Sequence, residues 1–144
     1  MGKKRVVKKE GEESVGAAAA SSGRTGKGRK VAAGTLHVES SYNNTIVLLS
    51  DKEGRALSWS SSGSLGFKGA KKGTPFAAAK VGELIGEKAV AMGMKNADVI
   101  VKGVGSGRES SIRAFSSKGV NITGIKDKTP VPHNGPKPKK PRRV

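Results

Sequence analysis

From Thr35 to Glu39 apolar and polar positions alternate, with Leu36 and Val38 on one face and His37 on the other. A period of two predicts a half-buried strand. His37 then reads as a surface or strand-pairing residue rather than a ligand. Ser40–Asn43 is a turn cluster. Asn44–Ser50 is β-branched and aliphatic, a buried strand, and Asp51-Lys-Glu-Gly54 closes a hairpin onto a third strand at Arg55–Ser61. In that strand Ala56, Ser58 and Ser60 share one face, and Leu57 and Trp59 the other. Trp59, the sole tryptophan, is expected to pack on the sheet face; stacking against a base is the alternative.

The period then lengthens. Thr74-Pro75 has the residue types of a helix start, a hydroxyl cap followed by proline at the first position. Ala77, Val81, Leu84, Ile85 and Met92 fall near one stripe, and Gly93 supplies a stop. Gly82 and Gly86 lower helix propensity but permit close approach of a neighbouring backbone. Ala97–Lys102 predicts a fourth strand, residues 108–118 a second helix ending at Gly119, and Val120–Ile125 a fifth strand. The order β-β-β-α-β-α-β predicts an α/β fold: a mixed five-stranded sheet of ribonuclease-H-like topology, with helices packed on its faces. Residues 34–125 suffice for its core.

Two glycine-rich connections interrupt this framework. Residues 61–73 form a long one, with Lys68, Lys71 and Lys72 just ahead of a helix start. Loops of this length in a small domain are usually functional or mobile, and lysines beside a helix N-terminus suit phosphate. The second carries Gly103, Gly105 and Gly107 between a strand and a helix, followed by Arg108 and Arg113. Such a loop aims backbone N–H groups at an anion, and arginine's planar fork suits phosphate. The alternative is a tight turn that needs glycine for its backbone angles. A dinucleotide fingerprint places glycines at offsets of about 0, 2 and 5. Here Arg108 stands where the third would be. Asp127, flanked by lysines, is a poor candidate for reading a ribose.

Charge decides what kind of phosphate. The 144 residues carry a formal net charge of +17. Residues 1–33 hold nine Lys/Arg against three Glu, and residues 126–144 seven Lys/Arg against one Asp, so each arm contributes +6 and residues 34–125 only +5. A modestly basic body between two strongly basic arms is the signature of a polyanion binder. The first arm has no sustained apolar period and reads as disordered. The second holds five of the six prolines, which favours an extended cationic strand. Its candidate ligands are Lys126, Lys128, His133, Asn134, Lys137, Lys139, Lys140, Arg142 and Arg143. With no cysteine and two histidines, disulfides are excluded and a zinc or triad site has little material. No cofactor or metal is expected. No apolar run approaches the roughly 20 residues of a membrane span, so a cytoplasmic protein without membrane or small-molecule partners is expected.

The residues also identify a family. Gly34-Thr-Leu-His-Val, Tyr42-Asn-Asn-Thr-Ile, Leu65-Gly-Phe-Lys-Gly69 and Thr74-Pro-Phe-Ala-Ala78 resemble the universal small-subunit ribosomal protein family numbered eleven. So do Gly105-Ser-Gly-Arg-Glu109, Ile112-Arg-Ala114, Thr129-Pro-Val-Pro-His-Asn-Gly135 and Arg142-Arg-Val144. The resemblance covers residue 31 to the end, and the His-Asn-Gly tail is similar to the bacterial and organellar branch. It implies the fold above, binding to small-subunit rRNA in the platform, neighbouring platform proteins as partners, and a place along the mRNA exit path. Val104 stands where many members have proline, Pro136 where many have cysteine, and Gly73 where a serine or a polar residue is usual.

Two other classes compete. A ribonuclease-H-like nuclease needs several carboxylates converging on two metals, and the acids of residues 34–125 are scattered between a turn, a helix face and single positions. A nonspecific nucleic-acid-binding protein would share the charge but has no need of glycine loops aimed at particular phosphates.

Overall fold

The computed structural model describes residues 29–143. Five strands are present: β1 (Ala33–Ser40), β2 (Thr45–Asp51), β3 (Ala56–Ser61), β4 (Asn96–Gly103) and β5 (Asn121–Asp127). Helix α1 (Pro75–Ala91) joins β3 to β4, and α2 (Arg108–Ser117) joins β4 to β5. The spatial order is β3-β2-β1-β4-β5, with β2 antiparallel to β1 and β3, and β1, β4 and β5 mutually parallel. This is the five-stranded mixed sheet that the periodicities predict.

Strand order settles where the helices lie. The crossover from β3 to β4 and that from β4 to β5 step across the sheet in the same direction. Two connections of the same hand, stepping the same way, put both helices on one face. Burial agrees. Leu36, Val38, Val47, Leu49, Val99 and Val101 are buried and cluster with Val81 and Ile85 of α1 and Phe115 of α2. Phe115 is fully enclosed, and truncating it to alanine is worth about 3–5 kcal/mol by cavity formation. The intervening positions His37, Leu48 and Ile100 form the other, uncovered face.

Local chemistry sets the helix boundaries. The Thr74 hydroxyl accepts from the Ala77 amide at 3.3 Å, capping α1 with Pro75 at its first position. Gly93 turns the chain out of α1 at φ +79°. The two helices touch through glycine: a Cβ at Gly82 would lie 2.3 Å from the Ser111 carbonyl oxygen, and one at Gly86 2.8 Å from the Lys118 side chain.

Four expectations shift. The folded part begins before Gly34. The Val31 amide donates to Met92 O at 3.1 Å and the Lys95 amide to Ala32 O at 2.9 Å, so residues 31–33 belong to the body rather than to the arm. Residues 1–28 of that arm lie outside the described residues. The fifth strand runs on to Asp127, which places Lys126 in the sheet instead of the tail. A short 3-10 turn, Gly69–Gly73, forms inside the lysine loop. Trp59, expected to pack, is 60 % exposed, because β3 is an edge strand and, among the described residues, no helix lies over the face that carries Trp59.

Candidate nucleic-acid interface

Segments far apart in sequence meet at one end of the sheet. The C-terminal ends of β1, β3, β4 and β5 and the start of β2 lie there, as do the first turns of both helices. The contacts are close. The Ser106 hydroxyl donates to Gly73 O at 2.8 Å, joining the two glycine-rich loops across 33 residues. A Cβ at Gly73 would sit 2.2 Å from the Tyr42 carbonyl oxygen, and one at Gly105 2.2 Å from that of Ser41. A Cβ at Gly107 would meet Thr45 Oγ1 at 2.4 Å. The glycines of the second loop are therefore fixed by packing against the β1–β2 turn; Gly103 also has φ +95°. Both helix N-termini, each with partial positive charge, open onto this pole.

Lys68, Lys71 and Lys72 crown it. Lys68 precedes the 3-10 turn, and Lys71 and Lys72 sit in its last turn. Lys68 and Lys71 are exposed and Lys72 half-buried. None of the three forms an ion pair among the described residues. Three unpaired cations beside a helix start are free for an external anion.

Arg108 is different. By sequence its planar fork is a candidate for phosphate. Instead Nη1 donates to Gly103 O at 2.5 Å and Nη2 to Asp127 Oδ2 at 2.5 Å. The other Asp127 oxygen accepts from the Thr129 amide at 2.9 Å and the Thr129 hydroxyl at 2.6 Å, and that hydroxyl accepts from the Gly103 amide at 3.2 Å. A closed ring of hydrogen bonds thus ties the glycine loop, the start of α2, the end of β5 and the root of the tail. Hydrogen bonds from the Thr129 hydroxyl first, then from Arg108 and the Thr129 amide, hold the Asp127 carboxyl well below the usual carboxylate range. Two of the guanidinium's N–H donors thus go to an internal carboxylate and carbonyl, which ties Arg108 into the fold. Nothing at the sequence level links Arg108 to a partner 19 positions on.

Arg113 lies on the exposed side of α2 with Glu109 at 3.6 Å, both more than 80 % exposed, a pair that solvent screens heavily. Lys126 stands beside Ile100 across the β4–β5 ladder, on the uncovered face. The Lys128 amide extends that ladder by donating to Val101 O at 2.9 Å. His133, Asn134, Lys137, Lys139, Lys140, Arg142 and Arg143 are exposed and outside regular structure. Asn134 has φ +55°, a bend in an otherwise proline-rich run.

Two further residues belong to this region and escape sequence reasoning. Tyr42 is 79 % exposed at the tip of the β1–β2 turn. Lys102 lines a cleft of about 460 Å³ with Tyr42, Gly103, Val104 and Thr129. Both sit in segments that read as ordinary turn and strand; only the meeting of β1 and β4 makes them neighbours. The acids do not converge. Asp51 and Glu53 stay at the hairpin, Glu83 and Glu87 on α1, and among the described residues no three His, Cys, Asp or Glu side chains are placed to share a metal ion. Among the same residues no helix is long and apolar enough to cross a membrane.

A small α/β body with lysines that form no ion pair among the described residues at one pole, and a cationic, proline-rich tail, has the make-up of a polyanion-binding protein. The family described as Ribosomal protein S11 matches residues 34–143. The chain is 53 % identical over 116 residues to the small ribosomal subunit protein uS11 of Paracidovorax citrulli strain AAC00-1, covering 81 % of this chain and 87 % of that one. It is 54 % identical, with the same coverage, to the small ribosomal subunit protein uS11 of Variovorax paradoxus strain S110. The chain belongs to the ribosomal protein S11 family.

Proposed function

We propose that this protein is a structural, non-enzymatic constituent of the small ribosomal subunit, binding its rRNA through the lysine pole and the C-terminal tail. The observation that carries the reading is the gathering of Lys68, Lys71 and Lys72 at the same end of the sheet as the root of the tail. Family membership supplies the identity of the polyanion: the relatives are named as small-subunit ribosomal proteins. Within the subunit, the proposed position is the platform, beside other ribosomal proteins and along the path of departing mRNA.

The test is competition. Full-length protein bound to small-subunit rRNA is challenged with duplex DNA at fixed salt. Retention on rRNA supports a defined folded RNA as ligand; equal displacement returns the protein to nonspecific nucleic-acid binding. The mRNA-path position is tested separately, by crosslinking from a photoreactive mRNA upstream of the decoding site. Crosslinks confined to other proteins would overturn it.

A further inference from the structure

The uncovered sheet face has a composition of its own. Strand register places Trp59 beside Leu48, Leu48 beside His37, His37 beside Ile100 and Ile100 beside Lys126. One row therefore runs across all five strands, from an aromatic ring at one edge to an ammonium at the other. Four inter-strand spacings make it roughly 19 Å long. Leu48, His37 and Ile100 are half-buried, so they form a floor, and Trp59 at 60 % exposure stands above it. Lys126 and Lys128 share a concavity of about 240 Å³ with Thr35, Asp98 and Ile100. Lys102 is the next exposed residue of β4 on this face, beside Glu39 of β1.

We infer that this face is a second RNA surface, on which a single-stranded segment stacks one base on Trp59 and lays its phosphates towards Lys102, Lys126 and Lys128. The inference rests on the RNA-binding reading above. The apolar part of the row is too narrow and too sunken for a stable protein interface. Among the described residues only Trp59 and, at 39 %, Ile46 project as large exposed apolar groups of this face. A lone exposed aromatic across a sheet from lysines is the pairing used for unpaired bases, where any base offers a π-face and cations track the backbone. The charge is in place: Glu39 and Asp98 face three lysines, and the Asp98 carboxylate is engaged by the Thr123 hydroxyl. In the middle of the row burial first, and then the positive charge of Lys102 and Lys128, push the His37 imidazole below its ordinary value.

Trp59 is the only tryptophan, so its fluorescence reports on this face alone. Full-length protein is titrated with a mixed-sequence single-stranded RNA 12-mer, with an RNA duplex of equal length, with inorganic polyphosphate and with small-subunit rRNA, while filter binding follows affinity independently. The expected result is that single-stranded RNA and rRNA quench the emission by at least half and shield it from iodide, while duplex and polyphosphate do not. Trp59→Ala should then weaken single-strand binding roughly tenfold and Trp59→Phe much less, in keeping with the stacking contribution per base. Tight rRNA binding with unchanged emission would overturn the inference and leave the lysine pole as the RNA site, with this face open to a protein. Equal quenching by polyphosphate would overturn the stacking role. Failure of rRNA to bind at all would overturn the proposed function itself.

Discussion

The two glycine-rich loops carry the same compositional signal and use it in opposite ways. In residues 61–73 the glycines face open space or touch only flexible atoms, save Gly73 at the end, and the lysines form no ion pair among the described residues. In residues 103–107 all three glycines are held against the β1–β2 turn and its flanks, and the adjoining arginine is paired with an internal carboxylate. Glycine beside a cation thus means two things. Where the backbone is pressed against another backbone, glycine is there for space and the charge holds the fold. Where it is not, the charge is available to a ligand.

The comparison breaks most readily at Gly105. Gly105→Val forces a side chain into the Ser41 carbonyl and should cost about 3 kcal/mol or more, whereas Gly66→Ala, with φ +93° but nothing within 4 Å, should cost only about 1 kcal/mol. Thermal unfolding measures both, and equal losses would dissolve the distinction. Removing residues 131–144 deletes Lys137, Lys139, Lys140, Arg142 and Arg143 and leaves the hydrogen-bond ring intact. The whole chain should show a log–log salt slope steeper than roughly −4, and this truncation should flatten it by up to about 4. An unchanged slope would mean the tail touches no phosphate. The triple change of Lys68, Lys71 and Lys72 to alanine should lower the slope by about 2 with unaltered melting temperature.

Arg108→Ala should do the reverse. It should lower stability by about 1–2 kcal/mol, since a carbonyl and a carboxylate lose their charged donor, with little direct change in the salt slope. A large fall in RNA affinity at unchanged stability would restore Arg108 as a phosphate ligand. The smallest effect is in acid. The Asp127 pKa is lowered by folding, so its contribution is complete above the ordinary carboxylate value near 4 and is lost as pH falls below that. Wild type and Asp127→Asn should therefore differ by a constant margin from pH 7 to pH 5 in urea unfolding, a margin that begins to shrink below pH ~4 and closes only as pH falls through the depressed folded value.

Sequence reading went furthest where one segment contains both cause and effect. The alternation at Leu36 and Val38, the Thr74-Pro75 cap and the four-residue spacing of Gly82 and Gly86 each act within a turn or two, and each appears in the structure as the pattern implies. It stopped where the partner lies elsewhere in the chain. Trp59 alternates as a packed residue would; its exposure follows from strand order, which periodicity does not contain. Arg108 shows the same limit, since a free guanidinium and one bound to Asp127 are spelled identically. The 3-10 turn at Gly69–Gly73 has too few residues for any period to register.

The ring formed by Arg108, Asp127 and Thr129 has a consequence for binding strength that no single contact expresses. By fixing the root of the tail at the lysine pole, it would make the two proposed binding regions, body and tail, modules on a short tether. Once either is seated on a polyanion, the other searches only the volume its chain allows, at an effective concentration of the order of millimolar. Weak individual contacts of exposed lysines would then multiply instead of competing, and dissociation would require both modules to release within the same brief interval. A tail of identical composition rooted at the opposite end of the sheet would lose that advantage for any anion beyond its reach.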